Sequence, residues 1–497
     1  MAYLRGENRY QTTFSITCLD DFIDGNNSVR VIDAFVNMLD LKKNGFKMYD
    51  PKSPGQCPYD RKILLKLHLY GYMNGIRSSR KLETESSRNM EVMWLINKLT
   101  PDHGTISSFV KDNKDSFRSI LKEFSLLLKG WGLIDGKLVA IDGTKLRANN
   151  SKKNYLTLEL IDKKIEYIEK QIAEYMKELD NPCDDAINQA ITEDINIEAI
   201  KEKIKIYEQK KEDHQNIQKD MKAKGIKQVS LADPDSRGMK NNGRGEICYN
   251  VQTAVDSKNC LIVDCEVVND INDLNQLSNM SANAKKTLHK RKLTVVADTG
   301  YYNTQEIKKC IDGKIKVYIK KSKSNNQTGD DAYRKDKFTY IPEDDKYICP
   351  EGMELPFAEY STKNNIRYKR YKGIQCLTCS KKSLCTKAKG GRNIQRLVDE
   401  DIIEKVLADT KINTTIYKQR RCIVEHPYGT IKRNLNYTYF LRRGLASVNA
   451  EAASIFVAYN LKRVINILSV QGICSYSAAK SHVVLIITSV MLTGCMY

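Results

Sequence analysis

Three acidic residues stand where carboxylate chemistry is possible. Asp142 and Asp298 each end a short apolar run, "GKLVAID" and "KLTVVAD", which is typical of a buried strand. A side chain at such a strand end emerges at the rim of an open α/β sheet. Glu425 is the only acid between Lys411 and Arg443, a segment that holds eight basic residues. Because carboxylate oxygens are the ligands that Mg²⁺ prefers, the three acids beside a basic surface indicate a nuclease-like metal site.

The segment around Glu425 has helical spacing. At 100° per residue, Arg421, Glu425 and Lys432 fall on one narrow face of a helix, so one acid would hold metal while two cations hold phosphates. Pro427 removes a backbone donor and clashes one turn back, unless the helix begins near Glu425 or bends there. We therefore expect this helix to be kinked.

Four cysteines form a second candidate metal site. Cys349, Cys376, Cys379 and Cys385 follow the pattern C-x26-C-x2-C-x5-C, and four soft ligands are compatible with one tetrahedral zinc. Ordinary reduced cysteines are the alternative. The surrounding Tyr, Lys and Arg residues suit a surface that grips DNA.

The composition indicates a soluble multi-domain protein with a polyanionic partner. The 497 residues carry a formal charge of +20, and eleven basic residues without an acid lie between Tyr360 and Arg396. Nucleic acid is the commonest polyanion of matching length, although a merely solvated basic face is the alternative. The fourteen cysteines form no regular framework and the first residues are polar, which favours a reduced cytosolic setting. The apolar stretch from His482 is shorter than a spanning helix, so we expect no membrane anchor.

Hydrophobic periodicity divides the chain into helical and mixed parts. Residues 1 to about 125 have apolar residues at helical spacing. This predicts either a helix-turn-helix unit that binds DNA or a plain helical bundle. Apolar strands alternate with helices after that and predict a mixed α/β sheet. From Leu158 to Leu179, and again from Ile197 to Tyr207, apolar residues recur every three or four positions. This spacing predicts an antiparallel helical hairpin inserted after the first strand.

Several stretches resemble one protein family. "VAIDGTKLRANNS", "VVADTGYYN" and "YKQRRCIVEHPYGTIKRN" look like the three acidic motifs of the DDE transposases of bacterial insertion sequences, which have an RNase H-like core. The third stretch resembles that group's Tyr-Arg-Glu-Lys signature. Arg421, Glu425 and Lys432 match its spacing, whereas Tyr417 is one residue too far out and Lys418 stands in its place. "TPDHGTISSF" and "FLRRGLASVNAEAASIFVAYNLKR" resemble the family's N-terminal domain and closing helix.

The resemblance and the periodicity together divide the chain into five parts. We expect an RNase H-like mixed sheet flanked by helices, interrupted by a helical hairpin and a Cys-rich segment, and preceded by an all-helical domain. The parts are a helical DNA-binding domain (1–130), the first part of the catalytic core (131–321, with the hairpin at 150–230), the Cys-rich basic insertion (322–395), the last part of the core (396–468) and an apolar tail (469–497).

The resemblance implies DNA cleavage followed by strand transfer. It assigns the metal to Asp142, Asp298 and Glu425, with two Mg²⁺ ions that Mn²⁺ can replace. It assigns contacts with double-stranded DNA, at terminal inverted repeats and target, to Arg421 and Lys432, and their neighbours Arg420, Arg433, Lys418 and Tyr417 lie in the same stretch. A homodimer in the cytoplasm, associated with the nucleoid, is the expected form. A nuclease that does not join, and a silent DNA-binding derivative, are the alternatives.

Overall fold

The computed structural model describes residues 17–49, 57–151, 154–180, 190–241, 243–321, 330–363 and 366–493. Side chains of the apolar tail beyond residue 476, and all of residues 494–497, lie outside this description. The expectations for residues 1–16 and 322–329 also fall outside it.

Six helices form the N-terminal region. They are α1 (Ser28–Met38), α2 (Arg61–Met73), α3 (Ser79–Arg88), α4 (Met90–Leu95), α5 (His103–Asp112) and α6 (Phe117–Gly130). Four of them begin at an Asn or Asp whose side chain accepts a backbone N–H of the first turn, because those N–H groups have no partner within the helix. The prediction of a helical N-terminal region is confirmed.

A mixed sheet follows. Its strands and the short pair beside it are β1 (Val139–Arg147), β2 (Tyr155–Thr157), β3 (Gln228–Ser230), β4 (Arg237–Asn241), β5 (Arg244–Asp256), β6 (Ile262–Val268), β7 (Leu293–Ala297) and β8 (Ile315–Tyr318). The main order is β6-β5-β1-β7-β8, in which β5 is antiparallel to β1 and β6 while β7 and β8 run parallel to β1. Strand β4 pairs with the first part of β5, and β2 pairs with β3.

Two long helices extend from the β2–β3 pair. They are α7 (Leu158–Asp180) and α8 (Ala190–Ala223). Lys211 Nζ lies 2.8 Å from Glu169 Oε1, and the rings of Tyr175 and Tyr207 are 5.9 Å apart. Since residues that come later in α7 meet residues that come earlier in α8, the two helices are antiparallel.

Helices pack against the main sheet. They are α9 (Leu277–Thr287), α10 (Thr304–Asp312), α12 (Glu400–Ile412), α13 (Thr414–Gly429) and α14 (Leu445–Thr493), the last interrupted at Ser469, where φ is +63°. In the described part of the chain, one helix, Leu445–Tyr476, is long and apolar enough to cross a membrane. Its most apolar window is 61% buried within the protein, where it packs on α1, α2, α6 and β6, as a core helix does.

A second, smaller sheet lies between β8 and α12 in the chain. It consists of β9 (Thr339–Ile341), β10 (Lys346–Ile348), β11 (Glu354–Lys363), β12 (Ile366–Lys372) and β13 (Asn393–Leu397), all antiparallel in the order β13-β12-β11-β10-β9. A four-residue helix, α11 (Lys382–Cys385), follows β12. Together with the main sheet and its helices, this confirms the prediction of a mixed α/β chain.

Candidate active site

Asp142 and Asp298 lie side by side on neighbouring parallel strands. Ile141 of β1 pairs with Ala297 of β7, and in both cases the next residue in the chain is an aspartate. Asp298 directly follows β7, as predicted, and its carboxylate accepts the N–H of Gly300. The prediction that β1 ends at Asp142 is wrong. Strand β1 runs on through Arg147, because its other edge stays paired with β5 for five more residues.

A single guanidinium joins the two aspartates. Arg420 of α13 places Nη1 3.8 Å from Asp142 Oδ2 and Nη2 3.8 Å from Asp298 Oδ2. Burial raises the pKa of the Asp142 carboxyl to about 6, although Arg420 and the Gly143 N–H favour the charged form; Asp298 and Asp273 raise it further. The two carboxylates therefore form a pocket of negative charge that already holds one cation.

A third carboxylate, Asp273, lies behind this pair. Its Oδ1 accepts hydrogen bonds from Asn250 Nδ2 and Gln252 Nε2, both at 2.7 Å. Lys145 Nζ is 3.6 Å from the same oxygen and has no closer hydrogen-bond partner among the described residues. The Tyr301 hydroxyl donates to Gln252 Oε1 and so ties the turn after Asp298 to the group. We call Asp273, Asn250, Gln252, Tyr301 and Lys145 the Asp273 network.

The network presses against β1 at Gly143. A Cβ there would stand 2.6 Å from Gln252 Nε2, 2.8 Å from Asp273 Oδ1 and 2.9 Å from the Tyr301 hydroxyl. No side chain fits in that space. The backbone at Gly143, the residue after Asp142, is therefore held in place by the side chains of the Asp273 network.

Glu425 does not face the two aspartates. Its side chain is 61% exposed, and its Oε1 accepts a hydrogen bond from Arg421 Nε at 2.7 Å on the outer face of α13. In the described ranges, no three His, Cys, Asp or Glu side chains are close enough together to hold a metal ion. The sheet thus assembles two carboxylates of the predicted trio, and the helix presents the third to solvent.

Lys432 lies apart from Arg421 and Glu425, so the prediction of one shared face is wrong. Residues Thr430–Asn434 form a π-helical turn, in which the wider spacing of hydrogen bonds turns later side chains away from the α-helical face. Lys432 Nζ consequently reaches β1, where it donates to Thr144 Oγ1, two residues after Asp142. Burial lowers its pKa.

Pro427 is accommodated within α13 one residue before Tyr428, whose hydroxyl donates to the Asp142 carbonyl at 2.9 Å. This contact fixes α13 on β1.

The remaining predicted DNA contacts differ in exposure. Lys418 and Arg433 are exposed, whereas Tyr417 packs on the core with Lys320 Nζ 4.7 Å from its ring.

Two family models match the sequence. Residues 17–112 match the family described as Transposase domain (DUF772), and residues 348–465 match the family described as Transposase DDE domain. The two matched domains identify a DDE transposase. No curated protein matches it.

One solved structure is similar to this transposase at a low level. It is described as the cryo-EM structure of a piggyBac transposase synaptic complex with hairpin DNA. The TM-score is 0.31 at 8% sequence identity, over 91% of this chain and 79% of that chain.

The matched ranges divide the candidate site of the transposase. Glu425, Arg421 and Lys432 lie inside the DDE match, whereas Asp142 and Asp298 lie between the two matches. Their place in the site therefore depends on the strand register described above. Sequence reasoning missed the Asp273 network, although the polar residues Asn250 and Gln252 alternate within an otherwise apolar strand and thereby indicate a buried polar face.

Proposed function

We propose that this transposase cleaves DNA at the ends of an insertion sequence in a Mg²⁺-dependent reaction and transfers the freed 3′-hydroxyl ends into target DNA. The observation that carries the proposal is the pair Asp142 and Asp298, adjacent in register and joined by the Arg420 guanidinium. A pair of carboxylates that draws one cation between them offers the hard oxygen ligands that Mg²⁺ requires.

We also propose that the core is RNase H-like. The support is the strand order β6-β5-β1-β7-β8, with three antiparallel strands followed by two that run parallel to β1. In this arrangement the first aspartate lies on the central strand and the second follows its parallel neighbour. The helical pair α7–α8 and the small sheet β9–β13 are then insertions into that core.

Asp142, Asp298 and Glu425 would hold two Mg²⁺ ions, with Mn²⁺ as a substitute, and bound metal would stabilise the charge that develops on the scissile phosphate. Glu425 reaches this position only after it leaves Arg421, since the two now pair at the surface. Arg420, released from the aspartates, would then contact phosphate. Arg421, Lys418 and Arg433 are exposed cations suited to the DNA backbone next to the site.

The partners follow from this chemistry. The N-terminal helices α1–α6 would bind the terminal inverted repeats, and the core would engage the cleavage site and target. Two ends must be held together for transfer, which favours a homodimer. The reaction would take place on DNA in the cytoplasm.

A plasmid assay tests the proposal. Purified full-length transposase is incubated with Mg²⁺ and a supercoiled plasmid that carries the element's inverted repeats. Joined products are expected. Cut products alone would instead identify a nuclease, and shifted but intact DNA would identify a DNA-binding protein without catalysis.

A further inference from the structure

Four cysteines are among the residues that line one cavity beside the second sheet. Cys349, which follows β10, and Cys376, Cys379 and Cys385, which lie between β12 and β13, all line a cavity of about 30 Å³. A single water molecule needs roughly 10–15 Å³, so the space suits one small ion. All four thiols are free.

The loop after β10 is shaped around Cys349. Its N–H donates to the Met353 carbonyl at 2.9 Å, and its carbonyl accepts the Gly352 N–H at 2.9 Å. The Met353 N–H in turn donates to Cys349 Sγ at 3.3 Å. Gly352 has φ +79°, which an L side chain rarely adopts. This tight turn fixes the position of the sulfur at the wall of the cavity.

Two glycines, Gly373 and Gly391, pack closely against Cys376. A Cβ at Gly373 would stand 2.4 Å from Cys376 Sγ, and one at Gly391, where φ is +89°, would stand 2.8 Å from Cys376 Cβ. Two glycines therefore let the backbone close around Cys376.

The small sheet has a small hydrophobic core. Its core consists of five buried side chains, which are Phe338, Tyr347, Leu355, Tyr371 and Ile394, with Cys349 and Cys385 packed against them. Units with so small a core are commonly stabilised by disulfides or by a structural metal. The described cysteines form no disulfide, so a structural metal is the means of this kind that the four residues offer.

We propose that Cys349, Cys376, Cys379 and Cys385 bind one structural zinc ion that holds the β10–β11 turn to the β12–β13 connection. In the described ranges no three of these side chains stand at coordinating spacing, so the four cysteines would hold the ion only after their loops move together. Bound zinc would then tie these loops to each other. The Arg392 guanidinium, which donates to the Cys385 carbonyl at 3.3 Å, lies close enough to offset part of the negative charge of four thiolates.

Metal analysis of the full-length protein tests the site. Protein purified without chelator should contain about one zinc per chain. After replacement by Co²⁺ it should show the absorption bands of a tetrahedral thiolate site. The variant Asp298→Asn should keep its zinc, which separates this site from the proposed catalytic metal. Wild-type protein that holds no zinc after reconstitution would overturn the proposal.

Cysteine variants locate the ligands. Cys379→Ser should lose most of the zinc, Cys379→His should retain it, and Cys57→Ser, at an exposed position, should match wild type. If Cys379→Ser fails to fold, alkylation of the native protein with and without chelator gives the same answer. The four proposed cysteines should be protected only when zinc is bound. Protection of other cysteines, or equal zinc in Cys379→Ser and wild type, would contradict the assignment.

Discussion

The two aspartates and the glutamate of the candidate site are held in different ways. Asp142 and Asp298 belong to hydrogen-bonded strands, have Arg420 between them and rest on the Asp273 network. Glu425 stands on the outer face of α13, where it accepts a hydrogen bond from Arg421, itself 77% exposed. An exposed ion pair of this kind contributes little to stability and breaks easily.

This difference teaches which part of the site is built before DNA arrives. The sheet positions two carboxylates in the free protein because the strand ladder and buried partners leave them little freedom. The helix keeps its carboxylate in a weak surface pair that bound DNA and metal can displace. Catalytic assembly would then consist of bringing Glu425 in, and the following variants test each side of the comparison.

The largest effect is expected for Asp298→Asn. An amide cannot supply the negative charge that a metal needs, so cleavage should fall by at least about 10³-fold, equivalent to several kcal/mol. DNA binding, measured by gel shift, should stay near normal. Asp312, an exposed acid at the last position of α10, provides the matched control. The variant Asp312→Asn should cleave like wild type. Retained cleavage in Asp298→Asn would sink the proposed site.

Glu425→Gln should separate catalysis from stability. Because the side chain is exposed, the free energy of unfolding should change by no more than about 0.5 kcal/mol. Cleavage should nevertheless fall by roughly 10²-fold, since a metal ligand is lost from the assembled complex. Urea unfolding and the plasmid assay measure the two effects. Unchanged cleavage would mean that Glu425 stays outside the site.

Asp273→Asn should affect both properties. It leaves Lys145 as a half-buried cation without its carboxylate, and the amide oxygen that can still accept from Asn250 and Gln252 carries no negative charge, so stability should fall by about 1–3 kcal/mol. Cleavage should fall by about tenfold as Gly143 and the turn after Asp298 loosen. The double variant Asp273→Asn, Lys145→Gln should recover part of the stability. If it recovers none, the ion pair is not what the network contributes.

The smallest effects distinguish two adjacent arginines. Arg420→Gln removes the cation between the aspartates and should lower the Mg²⁺ concentration for half-maximal cleavage by several-fold, about 1 kcal/mol. Arg421→Gln, on the outer face, should leave that concentration unchanged. It should weaken DNA binding slightly and reduce its salt dependence by about one charge. Identical Mg²⁺ titrations for both variants would show that Arg420 does not occupy the position that the metal takes.

Local patterns accounted for much of the fold. Strand β7 lies where its apolar run predicts it, and Asp298 follows this strand as expected. The end of β1 was wrong because periodicity carries no information about how long a neighbouring strand continues to pair. The position of Lys432 was wrong because the π-helical turn at Thr430–Asn434 depends on how α13 meets β1, which spacing alone does not reveal.

The sequence by itself determined that this protein has acidic residues beside apolar strands, a basic surface and four cysteines in one segment, because these follow from residue type and spacing. Only the tertiary structure decided that Asp142 meets Asp298 through strand register and that Asp273 stands behind them. It also decided that Arg420, rather than Arg421, faces the aspartates. Contacts between residues hundreds of positions apart arise from the packing of α13 on the sheet, and no local pattern encodes that geometry.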